Sequence, residues 1–382
     1  MSARPPRQET RRAAPRGSGP PGGKASPGGT YGGGTFLPLY LAGAWTLLAI
    51  YGSLYPFAGW RDTGVSPLAF LFAGWPRYYT GFDLTVNTLA YVPIGFLWAT
   101  VLSTRLPRFA AFAVAALLGA LLSGSLETTQ NFLPSRVPSN LDLATNTLGA
   151  FIGAAAGMRW GAHLLDGGRL HAWREHRFLG GATGDHGLML VALWLLTQLN
   201  PETFLFGNGN LRGLIGLPAA LSFEAGSFIE MEMATVAAQT LAIALIGSRL
   251  ARNHPVLLPL ALLGAAMLVK SFALMLLMQS VQGFAWVTPG TLGGLAIGMV
   301  LWAGTLRLTT GQHQTLAALA LMLATVLANL MPDNPYLENT LRVWQQGHFL
   351  NFNGATRLAS SLWPFLALPW LMLSRRTHER NH

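Results

Sequence analysis

The chain has 382 residues, 51% of them hydrophobic and only 10% charged, with a formal net charge of +10 and a mean hydropathy of +0.38. That balance is too apolar and too sparsely charged for a soluble protein of this length, so an all-α, polytopic transmembrane bundle is expected. Cysteine is absent, which excludes disulfides, thiolate metal sites and cysteine nucleophiles. No His-x-x-x-His spacing falls inside an apolar run, and no cofactor is expected.

Residues 1–35 are rich in Arg, Pro and Gly (Arg4, Arg7, Arg11, Arg12, Arg16 and Lys24 against Glu9) and read as a disordered basic cytoplasmic tail. The apolar run after it is long enough to span and ends without a small-x-small cleavage site, so it is expected to be retained. A polybasic tail beside a first span fixes orientation and touches anionic lipid; nucleic acid is not expected as a partner.

Apolar runs of spanning length follow at about 36–56, 84–102, 108–126, 143–165, 187–206, 228–248, 255–279, 288–306, 314–331 and 359–374, the last being short enough to lie at the interface. Ten spans with the tail inside place eighteen Lys and Arg residues on the cytoplasmic side. Six fall on the other side: Arg61, Arg77, Arg136, Arg212, Arg342 and Arg357. This asymmetry predicts that both termini are cytoplasmic, and Pro and Arg usage points to a GC-rich bacterium, so a bacterial inner-membrane location is expected.

The motif Asp-Leu-x-x-Asn-Thr-Leu occurs twice, at Asp83–Leu89 and Asp142–Leu148, each time at the mouth of a span. Asp83, Asn87 and Tyr91 share one helix face, as do Asp142 and Asn146. Carboxylates there mark a functional site unless they serve as N-caps and helix contacts, and both readings are open. Between the copies lies the densest polar stretch of the chain, with Glu127, Gln130 and Arg136. Arg136 either offers a guanidinium fork to phosphate or carboxylate, or neutralises Glu127 or Asp142. Gly149, Gly153 and Gly157 form a small-residue ridge, expected to be a helix contact.

A weaker echo joins the halves near a 145-residue offset: Leu117–Ala120 recurs as Leu262–Ala265, Pro56 as Pro201, and Thr147–Gly149 as Thr291–Gly293. A duplicated four-span unit is expected, its second copy a scaffold with Trp286 and Gly290 in place of the Asp and Asn. The expected organisation is 36–165, a cytoplasmic linker at 166–186, a degenerate repeat at 187–306, and C-terminal spans with a tail at 307–382. Lys270, deep in a later span, is expected to form a structural pair with Glu230 or Glu232.

Taken in order, Ser53-Leu54-Tyr55-Pro56-Phe57, Asp83-x-x-x-Asn87 with Tyr91, Pro93 and Gly95, Glu127-x-x-Gln130 with Phe132-Leu133-Pro134 and Arg136, and Asp142-x-x-x-Asn146-Thr147-x-Gly149 resemble the VanZ-like family over roughly residues 40–160. The resemblance implies a membrane protein of the cell envelope, from a family associated with lowered teicoplanin susceptibility and with exopolysaccharide settings. It implies no reaction.

Three functions fit these residues. The first is binding or modulation of an anionic lipid-linked glycan or envelope-targeting compound by Asp83, Asn87, Tyr91, Glu127, Gln130, Arg136, Asp142 and Asn146, with membrane lipids and envelope proteins as partners. The second is an intramembrane enzyme acting on a polyprenyl-phosphate-linked substrate, with Glu127 as acid or base and Asp83 and Asp142 orienting it or holding a divalent cation. The third is a transporter.

Overall fold

The computed structural model describes residues 37–55, 57–76, 79–161, 169–277, 283–334 and 350–379; the expected basic tail lies outside them. Among the described residues there are thirteen α-helices and no strand. The first half holds α1 (Leu37–Leu54), the short α2 (Ala69–Phe72), α3 (Gly81–Leu102), α4 (Arg108–Gln130) and α5 (Asn140–Ala156), which runs on as a π-turn to Gly161. Then come α6 (Arg169–Arg177), α7 (Gly181–Thr197), the short α8 (Leu211–Leu214), α9 (Ala225–Leu250), α10 (Leu257–Leu277), α11 (Pro289–Thr305), α12 (Thr310–Leu330) and α13 (Leu350–Glu379).

Each of the ten apolar runs overlaps one of these helices among the described residues. Six of them, α1, α3, α4, α9, α10 and α12, are long and apolar enough to cross a membrane by length and composition. The chain is therefore a multi-pass helical membrane protein. The last run, expected to be short, lies within the 30-residue α13, which carries Pro364 and Pro369 in its interior.

Helix starts follow the polar residues that precede the apolar runs. Thr80 and Asp83 close a capping box on α3, Thr309 and Gln312 close one on α12, and Thr288 caps α11 with Pro289 in its first turn. Capping groups satisfy backbone N–H groups that hydrocarbon would leave bare.

The first half is locked by glycine. A Cβ added at Gly149, Gly153 or Gly157 would collide with the backbone carbonyl of Thr88, Val92 or Phe96, and one at Gly95 with that of Ala150. Helices α3 and α5 therefore run backbone against backbone, as the ridge of small residues predicts. Side chains then tie α1 to α3: the Trp45 indole donates to Ala90 O (2.9 Å) and the Trp98 indole to Thr46 Oγ1 (3.1 Å).

In the second half α9 is the central helix, buried along most of its length. Trp194, Phe206, Leu245, Trp302, Leu321 and Trp363 build its core. The stretch expected as a plain linker contains α6 and is fastened to the α9–α10 turn. Leu179 N–H donates to Leu250 O (2.8 Å), Arg252 N–H to Arg177 O (2.9 Å), and Arg174 pairs with Asp185.

The α3–α5 contact has a counterpart in α9–α11, where Gly294 meets Met233 O and Gly298 meets Ala237 O. Each of these four residues lies 145 positions after its equivalent among Gly149, Thr88, Gly153 and Val92. In that register Glu232 stands where Asn87 stands, and Thr291 where Asn146 stands. The expected Trp286 and Gly290 pairing is thus one residue out, because Leu and Gly repeats at neighbouring positions score alike in sequence while only one register brings the glycines onto the backbone.

Candidate functional site

The two Asp-Leu-x-x-Asn-Thr-Leu copies start α3 and α5 side by side but use their acids differently. Asp83 closes locally: its Oδ2 accepts from Thr80 Oγ1 (2.7 Å) and Thr80 N–H (3.2 Å), while Asp83 N–H donates to Thr80 Oγ1 (3.1 Å). In α5 the cap is Ser139, whose Oγ accepts from the N–H groups of Leu141 and Asp142 at 3.2 and 3.3 Å. The reciprocal partner of Ser139 N–H, however, is Glu127 Oε2 from the end of α4, at 2.7 Å. Glu127 takes the role that Asp142 would hold in a capping box, and Asp142 is released to accept from Asn87 Nδ2 across the helix pair at 2.9 Å.

Below this pair, Asn146 Nδ2 donates to Ser123 Oγ at 3.0 Å, binding α5 to α4. Tyr91 is buried beside them at 4% exposure. Its hydroxyl and Asn146 Oδ1 have no hydrogen-bond partner. Glu127 is also only 4% exposed, and the bond from Ser139 engages one of its two oxygens. Asn87, Tyr91, Glu127, Asp142 and Asn146 thus form one cluster across α3, α4 and α5, with acceptor capacity left over.

Gln130 and Arg136 are held elsewhere. Gln130 Nε2 donates to Ser53 O (2.9 Å), and Arg136 Nη2 donates to Gly52 O and Tyr55 O (both 3.1 Å). Together they satisfy the open carbonyls of the last turn of α1, where a cation is favoured by the helix dipole. Burial pushes the Arg136 guanidinium down from its ordinary value, and the field of Glu127 pulls it back up. Arg136 makes no direct ion pair with Glu127 or Asp142, and its Nη2 is committed to backbone. Sequence spacing could not reveal this, because the carbonyls it binds lie more than 80 positions earlier.

The three acids do not gather as a metal site; among the described residues no group of three or more His, Cys, Asp or Glu side chains could hold an ion. The turn above the cluster is fixed by Asn131, whose Nδ2 reaches Thr63 Oγ1 and Val65 O (both 3.2 Å), and by Asn140 Nδ2 on Ala73 O (2.7 Å).

The family model VanZ/LLP1 matches residues 38–160, the helices that carry this cluster. This segment is VanZ-like. The match covers about a third of the chain, and no curated protein and no solved structure matches it. The match falls on the segment whose motifs resemble that family, and the rest of the chain lies outside it.

Outside the VanZ-like segment, the expected pairing of Lys270 with Glu230 or Glu232 is not found. Lys270, 1% exposed, donates to Asn200 O and Thr203 O at 2.5 Å each, the carbonyls just past the end of α7. Glu232 instead accepts from Thr291 Oγ1 at 3.0 Å, across α9 and α11. The carbonyls answer the ammonium because backbone freed at a helix end is a ready acceptor, whereas helical periodicity compares only side chains.

The same end of the second half holds a cavity of about 540 Å³. Its wall is formed by the segment from Asn200 to Pro218, the end of α12 and the start of α13. Sequence reasoning missed it. The available signal was Gly207-Asn208-Gly209-Asn210, an unusual run of turn residues that follows Phe206 at φ 61° and contains Gly209 at φ 89°.

Proposed function

We propose that the chain is an envelope membrane protein whose VanZ-like segment binds a membrane-borne ligand, a lipid-linked glycan or a glycopeptide-like envelope compound, through hydroxyl or amide donors on that ligand. The observation that carries this reading is the buried polar cluster around Glu127, a carboxylate 4% exposed at the end of a spanning-length helix, with one oxygen capping α5. Buried polar groups in hydrocarbon are ordinarily satisfied, whereas Tyr91 Oη and Asn146 Oδ1 beside it are open. An acceptor-rich cluster of this kind suits ligand donors. Recognition of a phosphate by Arg136 is disfavoured, because that guanidinium serves the end of α1. The same commitment disfavours an enzyme gripping a polyprenyl phosphate here. The asymmetry of Lys and Arg supports an inner-membrane location with both termini in the cytoplasm and the cluster on the outer side.

The test uses a strain lacking this protein, rescued by the parent, by Glu127→Gln or by Glu127→Ala, and challenged with teicoplanin and other envelope-targeting compounds. Membrane abundance is measured in each. Glutamine retains an oxygen for Ser139 N–H, so Glu127→Gln is expected to accumulate normally and to lose rescue. Full rescue by Glu127→Gln, with a defect confined to the low abundance of Glu127→Ala, would reduce Glu127 to a cap and overturn the reading.

A further inference from the structure

We propose that the cavity in the second half is a separate binding site, taking a hydroxylated headgroup that carries one anionic group, phosphate or carboxylate. It is large enough for a sugar-sized ligand, at about 540 Å³. Its charge is the first argument. Arg212 and Asp333, both in the wall, neutralise one another at 2.7 Å, and Arg212 also donates to Met331 O. Arg357, a lining residue on α13, is exposed and donates to Gly213 O but has no carboxylate within ion-pair distance among the described residues. Behind the wall, Lys270 is fixed to the carbonyls of Asn200 and Thr203, both lining residues. Glu202 is the acid whose field acts on that lysine. Glu202 lines the cavity too, so its acids and arginines balance in number. Asp333 is spent on Arg212, which leaves Arg357 as the lining cation with no carboxylate at ion-pair distance among the described residues, and the N–H groups of its fork not used by Gly213 O suit an oxyanion.

The wall itself is the second argument. Ser360 and Ser361 are buried in it, and so are Asn200 and Asn208, at 0% and 2% exposure. Asn200 Nδ2, a donor, and Asn208 Oδ1, an acceptor, lack partners. Unsatisfied amides of both polarities around one space are what a hydroxyl group, donor and acceptor at once, would complete. Leu217, Pro218 and Met331 supply apolar surface in the same wall, as carbohydrate faces require.

The experiment measures ligand-dependent thermal stabilisation of the full chain in lipid nanodiscs. One arm compares phosphatidylcholine discs with discs containing about one fifth phosphatidylglycerol; the other adds glycerol 3-phosphate, N-acetylglucosamine 1-phosphate or N-acetylglucosamine to phosphatidylcholine discs. Stabilisation by phosphatidylglycerol alone would assign the headgroup to a lipid, and stabilisation by the soluble phosphates would assign it to a free ligand. Either supports the site. Arg357→Gln is expected to weaken the effective probe about 10-fold or more, and Arg357→Lys to restore part of it, while Arg61→Gln, an exposed arginine on the first half, should bind as the parent does. Asn200→Asp keeps the oxygen that accepts from Glu202 N–H at 2.8 Å and adds a negative charge to the wall, so it too should lose the anionic probes without unfolding. No stabilisation by any probe in either arm, or undiminished binding by both Arg357→Gln and Asn200→Asp, would overturn the proposal.

Discussion

Substitution of Gly149 by Ala should be among the most damaging single-methyl changes in the chain. The new Cβ would overlap Thr88 O and the rest of that peptide group, so α3 and α5 must separate by about 1 Å to restore ordinary contact. Overpacking of this kind costs about 1–3 kcal/mol. Thr88 adjoins Asn87, so the separation also stretches the Asn87–Asp142 bond from 2.9 Å beyond hydrogen-bond length. Loss of a bond to a charged acceptor adds about 1.5–3 kcal/mol, and the better helix propensity of Ala returns about 1 kcal/mol. The net expectation is a destabilisation of roughly 1.5–5 kcal/mol. Gly43 and Gly264, in α1 and α10, supply the controls, since a Cβ at either meets nothing within 4 Å. There Ala should be neutral or stabilising by up to about 1 kcal/mol. Reversible unfolding in mixed micelles with increasing dodecyl sulfate would measure all three. Parental stability for Gly149→Ala, or an equal loss at Gly43 and Gly264, would refute the reasoning that close helix approach, rather than glycine content, holds α3 and α5 together.

Lys270 and Glu232 have no common partner, so the cycle of Lys270→Met, Glu232→Gln and the double variant should close to within about 0.5 kcal/mol in the same unfolding assay. A coupling above about 1 kcal/mol would restore a direct pair. Arg212 holds the Asp333 carboxyl below its ordinary value, and a lowered folded value means that the pair stabilises fully above the unfolded value, near 3.8, and loses that contribution as pH falls through the folded one. Asp333 is two-thirds exposed, so Asp333→Asn should cost no more than about 1 kcal/mol at neutral pH, with the difference from the parent vanishing on acidification.

Composition and hydropathy made the helical membrane class readable, because hydrocarbon forces backbone polar groups into helices and each span advertises itself as an apolar run. The glycine ridge of α5 was readable for a similar reason: a period of four on one helix is local information. Cross-helix choices were not. Asn87 could find Asp142 only once α3 and α5 lay in a given register, and the same holds for Gln130 and Arg136 on the last turn of α1. Lys270 misled because a buried ammonium suggests a carboxylate, whereas the carbonyls past α7 were nearer. The cavity escaped because its wall joins the segment from Asn200 to Pro218 to residues of α12 and α13 that lie more than a hundred positions later.

The two repeated acids form a matched pair for separating packing from function. Both begin a helix at the same position of the same motif, yet Asp83 spends its carboxylate within its own turn, whereas Asp142 faces Asn87 because Glu127 has relieved it of the cap. If the polar residues existed only to start helices, the second copy would have no use for a third carboxylate, and a local box like that of Thr80 would suffice. Asp83→Asn should therefore remove a favourable charge from the first turn of α3, at about 0.5–1 kcal/mol, and leave the envelope phenotype intact. Asp142→Asn still offers an oxygen to Asn87, so its stability should fall by a similar amount while rescue is lost. The comparison requires unfolding midpoints and compound susceptibility for both variants at matched membrane abundance. Equal phenotypes would assign both acids to helix starting, and Glu127 with them to the cap of α5.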